Sequence, residues 1–261
     1  MTTAYEQLRG RFARLADLNG AAAMLHWDAA AVMPTGGAGA RAEQLATLSL
    51  LAHEILCHHE VADLLHQAEA ATDALGPWES ANLREMRRQW SHATALPGDL
   101  VAAFSRAGSA CEMVWRTARA DDDFAALCPY LEEVVALVRE RAAAKAEAFG
   151  CSPYDALLSQ YEPGLGTADI DREFDHLAAF LPGLLDRVLA RQVEPPAAPE
   201  RLDAAVQEGL SRHLLGALGF DFTHGRLDVS LHPFTGGAAD DVRLTTRYDG
   251  ADPLGSLYPA L

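Results

Sequence analysis

The residues best suited to chemistry cluster near the C-terminal end of the sequence. Leu227, Val229 and Leu231 alternate with Asp228, Ser230 and His232, and Val242, Leu244 and Thr246 alternate with Arg243, Thr245 and Arg247. A period of two marks strands. We read these segments as an antiparallel hairpin joined by a Gly236-Gly237 loop, with Phe220 and Phe222 as a candidate third strand. That arrangement puts His232, Asp241, Arg243, Thr245 and Arg247 on one polar face. Leu231, Val242 and Leu244 then face the helices. Guanidinium, imidazole and hydroxyl groups on one strand face can recognise an extended peptide or its carboxylate. The same spacing also describes a solvated face held by ordinary cross-strand ion pairs.

Other candidates are weaker. His53-Glu54-Ile55-Leu56-Cys57 puts His53 and Cys57 four residues apart, on one side of a helix, with Glu54 where a general base would stand. The zinc-protease pattern requires His at the second position, and no third ligand is evident, so we read a surface helix with chance histidines. Asp121-Asp122-Asp123 suits a hard cation, but acidic residues at a helix start are explained by the macrodipole. Arg84, Arg87 and Arg88 with Trp90 suit an anion, and equally one solvated helix face.

The elements that must position these groups are mostly helices. Thr3 and Glu6 form a capping box, followed by Tyr5, Leu8, Phe12, Leu15, Leu18, Ala22 and Leu25 at spacings of three and four. Met33-Pro34-Thr35-Gly36-Gly37 ends that helix. Further helices are predicted over about 41–75, 77–95, 99–120, 121–150, 153–161, 167–192 and 200–218, punctuated by glycine and proline. Val193 to Pro199 reads as a stiff linker. The fold class is therefore mainly α, a body of long antiparallel helices with a small antiparallel hairpin or sheet. Residues 1–219 form the helical body and 220–261 a small β region packed on it, as one structural unit.

Composition excludes several roles. The 261 residues are 49% hydrophobic and 22% charged, as in a folded soluble protein. Their 37 acidic against 21 basic side chains give a formal charge of −16, which repels phosphate backbones and anionic lipids. We expect no nucleic-acid partner and no membrane association. No apolar run approaches the roughly 20 residues of a membrane helix, and the N-terminus is not a signal peptide. Cys57, Cys111, Cys128 and Cys151 stand apart with no CxxC pair, which fits a reduced, cytoplasmic protein.

Four ordered motifs sharpen the reading. His232-Pro233-Phe234 followed by Asp241-Val242-Arg243-Leu244-Thr245 resembles the HPF and DxRxT signatures of the carboxypeptidase Taq family of zinc metallocarboxypeptidases. Trp27-Asp28, Met33-Pro34 and Gly36-Gly37 with Arg41-Ala42-Glu43-Gln44 are similar to its N-terminal WDxxTxMPxGG region. Ala29-Ala30-Ala31 departs from it where relatives carry polar residues. Tyr154-Asp155-Ala156-Leu157-Leu158 with Tyr161-Glu162-Pro163-Gly164 is similar to its YDxLLxxYEPG segment. We expect Trp27 to be a core anchor and Tyr161 to Gly164 to shape a helix-ending turn.

The resemblance implies a mostly helical body with a small sheet beside a deep groove, and removal of single C-terminal residues from peptides with a divalent metal. The family's HExxH zinc helix follows its DxRxT strand, and no such motif lies within these residues. We therefore expect no metal cofactor held by this chain, no catalytic residue of its own, and a non-catalytic peptide-binding or regulatory role. His232, Arg243 and Thr245 are the candidate substrate-binding residues. Two alternatives stay open: the N-terminal half of a split or shortened active carboxypeptidase, and a helical homodimerisation scaffold. The expected partners are peptide C-termini and either a second copy or a complementing polypeptide, covering apolar surface around Leu254, Leu257, Tyr258 and Leu261.

Overall fold

The computed structural model of the chain describes residues 2–193, 201–253 and 255. Most of the predicted Val193–Pro199 linker, the start of the predicted 200–218 helix, and Leu254, Leu257, Tyr258 and Leu261 lie outside the described residues. Two compact units are present: Met1–Leu137 with Glu200–Leu261, and Val138–Pro199. These limits do not coincide with the division at residue 219 read from the sequence.

In the first unit, α1 (Ala4–Ala31) begins at the expected capping box, with Glu6 N donating to Thr3 Oγ1 at 3.2 Å and Thr3 N to Glu6 Oε2 at 2.8 Å. These bonds satisfy amide donors that the first turn otherwise leaves open. The predicted 41–75 helix is two helices, α2 (Ala38–Cys57) and α3 (His59–Ala70). His58 between them has φ −58° and ψ 134°, which interrupts the helical bonding. The break lets α3 aim its own apolar stripe, Val61, Leu64, Leu65 and Ala68, at Tyr5 and Leu8 of α1. Leu83 and Met86 of α4 (Pro77–Thr94) complete this core. Next come α5 (Gly98–Ala120) and the first part of α6 (Phe124–Phe149), where Asp123 Oδ1 accepts from Ala126 N at 3.0 Å. The acidic run is therefore not the first turn of a helix: Asp121 ends α5, Asp122 turns the chain at φ 54°, and Asp123 caps α6.

Across residues 201–246 lie α9 (Ala204–Ala217) and three short strands, β1 (Gly225–Val229), β2 (Thr235–Ala238) and β3 (Asp241–Thr246). The sheet corrects the predicted hairpin. Its order is β1-β3-β2, with β1 parallel to β3 and β2 antiparallel to β3. The Gly236-Gly237 segment is itself a strand, paired with Arg243 and Val242. Alternation of side chains says nothing about direction, and the chain reverses twice between Val229 and Asp241, so the two alternating segments run the same way. Phe220 and Phe222 form no strand. They meet edge to face at 4.9 Å after α9, where Phe220 packs on Leu215, Leu227 and Leu244.

The second unit holds the end of α6, the short α7 (Pro153–Leu158) and α8 (Thr167–Leu189). Ser152 caps α7, and Gly164 at φ 86° turns the chain after it, as expected of the Tyr161 to Gly164 segment. Gly166 caps α8, where Asp169 Oδ2 accepts from Gly166 N at 3.1 Å, while Thr167 N donates to Asp155 Oδ1 at 2.7 Å.

Candidate functional site

Thr245 sits in the central strand with 0% exposure. Its Oγ1 accepts from Phe234 N at 2.9 Å and donates to Phe234 O at 3.1 Å, while its backbone N–H also donates to Phe234 O at 2.9 Å. Ser230 Oγ lies 2.8 Å from both Thr245 Oγ1 and the His232 carbonyl. Two linked buried hydroxyls therefore hold the His232-Pro233-Phe234 bend, Thr245 at Phe234 and Ser230 at His232. This corrects the expectation that Thr245 shares an open face with His232. Thr245 is a positioning residue, and His232 belongs to the exposed bend after β1 rather than to a strand. Leu231, expected to pack inward, is exposed beside it.

Arg243 is largely covered. Its guanidinium lies 4.5 Å from the Trp27 ring centre and its Nη2 donates to Asp241 Oδ2 at 2.6 Å. Arg226 approaches the same indole at 5.1 Å. Two cations on one aromatic ring are held there by the ring quadrupole together with their paired carboxylates, Asp241 and Asp228. Trp27 is buried at 8% exposure, as expected of a core anchor. Trp27 Nε1 and Arg243 Nε are buried with no hydrogen-bond partner among the described residues. The neighbouring Asp28 accepts from Arg41 Nη1 at 2.5 Å, and the same nitrogen reaches Leu25 O at 2.8 Å, so the Trp27-Asp28 and Arg41 motifs lock one helix corner.

His232 opens onto a cavity of about 290 Å³ lined by His26 and Ala30 of α1, Glu112, Trp115 and Arg116 of α5, and Ser230, Leu231 and Phe234. Arg116 Nη1 donates to Ala29 O at 2.5 Å and Nη2 to Glu112 Oε1 at 2.6 Å. Arg119 Nη1 donates to Leu231 O at 3.1 Å, with its guanidinium 5.2 Å from the Trp115 ring. The α5 contribution was missed in the sequence. Its signal was present: Glu112, Trp115, Arg116 and Arg119 follow the spacing of one helix face. The result is a concave, mixed site with aromatic walls, two imidazoles and an ion pair, suited to the polar end of a peptide.

The donor groups that converge among the described residues do not fit a catalytic zinc. Among the described residues the one set within ligating reach is His58, His59 and Glu60, three consecutive exposed residues. Glu60 is also engaged by Arg11. A catalytic zinc site takes about three convergent ligands with their own supporting hydrogen bonds. His53 and Cys57 do face each other, Nε2 to Sγ 3.5 Å. Burial pushes the thiol up and the imidazole down, so both stay neutral near pH 7. In the arginine cluster, Arg87 pairs with Glu69 and Arg88 with Glu85, each at 2.6–2.7 Å.

The pattern of the carboxypeptidase Taq (M32) metallopeptidases matches residues 7–261. The chain belongs to that family. It is similar to thermostable carboxypeptidase 1 of Pyrococcus furiosus, 34% identical over 252 residues, covering 95% of this chain and 50% of that protein. It is also similar to thermostable carboxypeptidase 1 of Thermus thermophilus, 35% identical over 259 residues, covering 94% and 50%. The solved metallocarboxypeptidase 1 of Trypanosoma cruzi superposes with a TM-score of 0.80 at 34% identity, covering 98% of this chain and 52% of that one. The chain thus spans about half the length of the M32 relatives it matches. Among the described residues no helix is long and apolar enough to cross a membrane.

Proposed function

We propose that these 261 residues form the peptide-binding wall of an M32-type carboxypeptidase and bind peptide C-termini without cleaving them. One observation carries the reading: Thr245 fixes the His232-Pro233-Phe234 bend so that His232 faces Glu112, Trp115 and Arg116 across one cavity. No HExxH lies within the sequence, so hydrolysis is not assigned to this chain. The test is fluorescence anisotropy with a labelled peptide carrying a free C-terminal carboxylate, beside its amidated twin. The free acid should bind more tightly, and His232→Ala should weaken it about tenfold, the loss of one charge-assisted contact. Equal binding by acid and amide, or no effect of His232→Ala, refutes the reading.

A second reading is favoured by the even match to half of each relative: the chain supplies one half of an active metallocarboxypeptidase. Mixing it with a separately produced C-terminal half of an M32 relative should then yield zinc-dependent release of C-terminal residues. Absence of release from a complex shown to form would count against it.

A further inference from the structure

Helix α2 ends and α3 begins at His58, and three side chains able to ligate a metal meet there. In a continuous helix consecutive residues point about 100° apart, so neighbouring side chains diverge. At His58 the backbone leaves the helical region, with φ −58° and ψ 134°. The break lets His58, His59 and Glu60 converge. The ring centres of His58 and His59 lie 4.4 Å apart, and His58 Nδ1 is 3.6 Å from Glu60 Oε2. One donor atom from each of the three residues lies within 4.8 Å of the other two. A point in their midst is then at most about 2.8 Å from each, against a metal–nitrogen bond of roughly 2.0–2.1 Å. Each donor therefore has less than about 1 Å to move. All three side chains are exposed, so their rotamers adjust freely.

The surroundings favour a cation. The last turn of α2 holds no basic residue, so its carbonyl end, which stabilises positive charge, is left uncomplemented. Glu60 in the first turn of α3 offsets the opposite polarity of that helix start. The His58 ring makes no capping bond to α3. Arg11 of α1 donates to Glu60, but a carboxylate has two oxygens. One stays with Arg11 while the other reaches the ion, the kind of supporting bond that orients metal-ligating carboxylates. The donor set also selects the ion. Two imidazoles and a carboxylate suit Cu²⁺, Ni²⁺ and Zn²⁺, whereas Ca²⁺ and Mg²⁺ require oxygen ligands. Water fills the remaining positions, so the ion exchanges with solvent.

We propose that the His58–Glu60 corner binds one divalent transition-metal ion through both imidazoles and the carboxylate, Cu²⁺ most tightly and Ni²⁺ and Zn²⁺ less so. Such an ion ties the end of α2 to the start of α3, the helix that carries Val61, Leu64 and Leu65 into the core against Tyr5 and Leu8. The inference is independent of peptide binding. Calorimetric titration of the metal-free full chain with nickel chloride, in a buffer that does not chelate, should show one ion bound per chain at tens of micromolar. His58→Ala and His59→Ala should each weaken binding at least about tenfold, the loss that even a supporting residue causes. Glu60→Gln should weaken it severalfold. Cys57→Ser should leave it unchanged, which separates this corner from the preceding His53–Cys57 pair, and calcium chloride should give no heat of binding. Electron paramagnetic resonance of the Cu²⁺ form should show two imidazole nitrogens on the ion. If His58→Ala lets α2 run on into α3, seen as a gain in helical content, His59→Ala and Glu60→Gln decide alone. No Ni²⁺ binding below hundreds of micromolar, or binding indifferent to the His59 and Glu60 variants, overturns the proposal.

Discussion

Thr245 illustrates how a side chain chosen for its chemistry can act one step removed from it. The sequence pattern singled out Thr245, Arg243 and His232, but alternation alone cannot tell a solvated strand face from a buried one, and Thr245 is fully buried. Thr245→Val keeps the volume and removes the hydroxyl, leaving the Phe234 N–H buried without its partner. An unsatisfied buried donor costs about 1–3 kcal/mol. Urea unfolding should register that loss, Thr245→Ser should recover most of it, and an unchanged midpoint for Thr245→Val would show that the bend is held by other means. The cysteines give a second prediction at this scale. Cys57 and Cys111 are partly buried and their thiols are pushed up by burial, whereas Cys151 is exposed. The thiolate is the reactive species, so alkylation at pH 7.5 should label Cys151 well before Cys57 and Cys111. Peptide mapping of a time course checks the order, and early labelling of Cys57 would mean that His53 activates it.

At the scale of elements, the legible features were those written locally. The Thr3–Glu6 capping box, Pro77 at a first turn, and Gly150 and Gly219 at helix ends each need only neighbouring residues to be recognised. The break at His58 and the direction of β1 relative to β3 depend on what those segments pack against, which no window of a single sequence contains. Gly237 marks the boundary between the two kinds of information. Its composition suggested a loop, yet it lies in a strand at φ 92°, where an added Cβ would collide with the Asp241 carbonyl at the β2–β3 reversal. Gly237→Ala should therefore cost more than the roughly 1–2 kcal/mol of a left-handed residue alone, because the clash adds to it. Thermal melts would show a clear drop in midpoint. A neutral substitution would indicate that the reversal is free to open.

For the whole molecule, the governing quantity is charge. The excess of acidic groups, −16 overall, opposes compaction, and the ion pairs that offset it lie mostly on exposed side chains, where solvent screens them to little net stabilisation. Salt screens both terms, but the diffuse repulsion is summed over many charges while each pair is local, so the repulsion loses more. Raising ionic strength from about 0.01 M to 0.15 M at pH 7.5 should accordingly raise the melting temperature. Lowering the pH adds an opposing effect. Hydrogen bonds from Arg87 and Arg88 hold the Glu69 and Glu85 carboxyls below their ordinary value of 4.5. A carboxyl depressed in the folded state contributes its full stabilisation above the unfolded value and loses it as the pH falls through the folded one. Between neutrality and the isoelectric point near 4.9, repulsion shrinks while these pairs remain intact. Below 4.5 the unfolded chain takes up protons first and the pairs cease to stabilise. Low-salt melting temperatures should therefore rise as the pH falls from 7.5 to about 5.5 and drop again below 4.5. A melting temperature that fell steadily from pH 7.5 downward, or that decreased on adding salt, would mean that specific ion pairs outweigh the net charge of the chain.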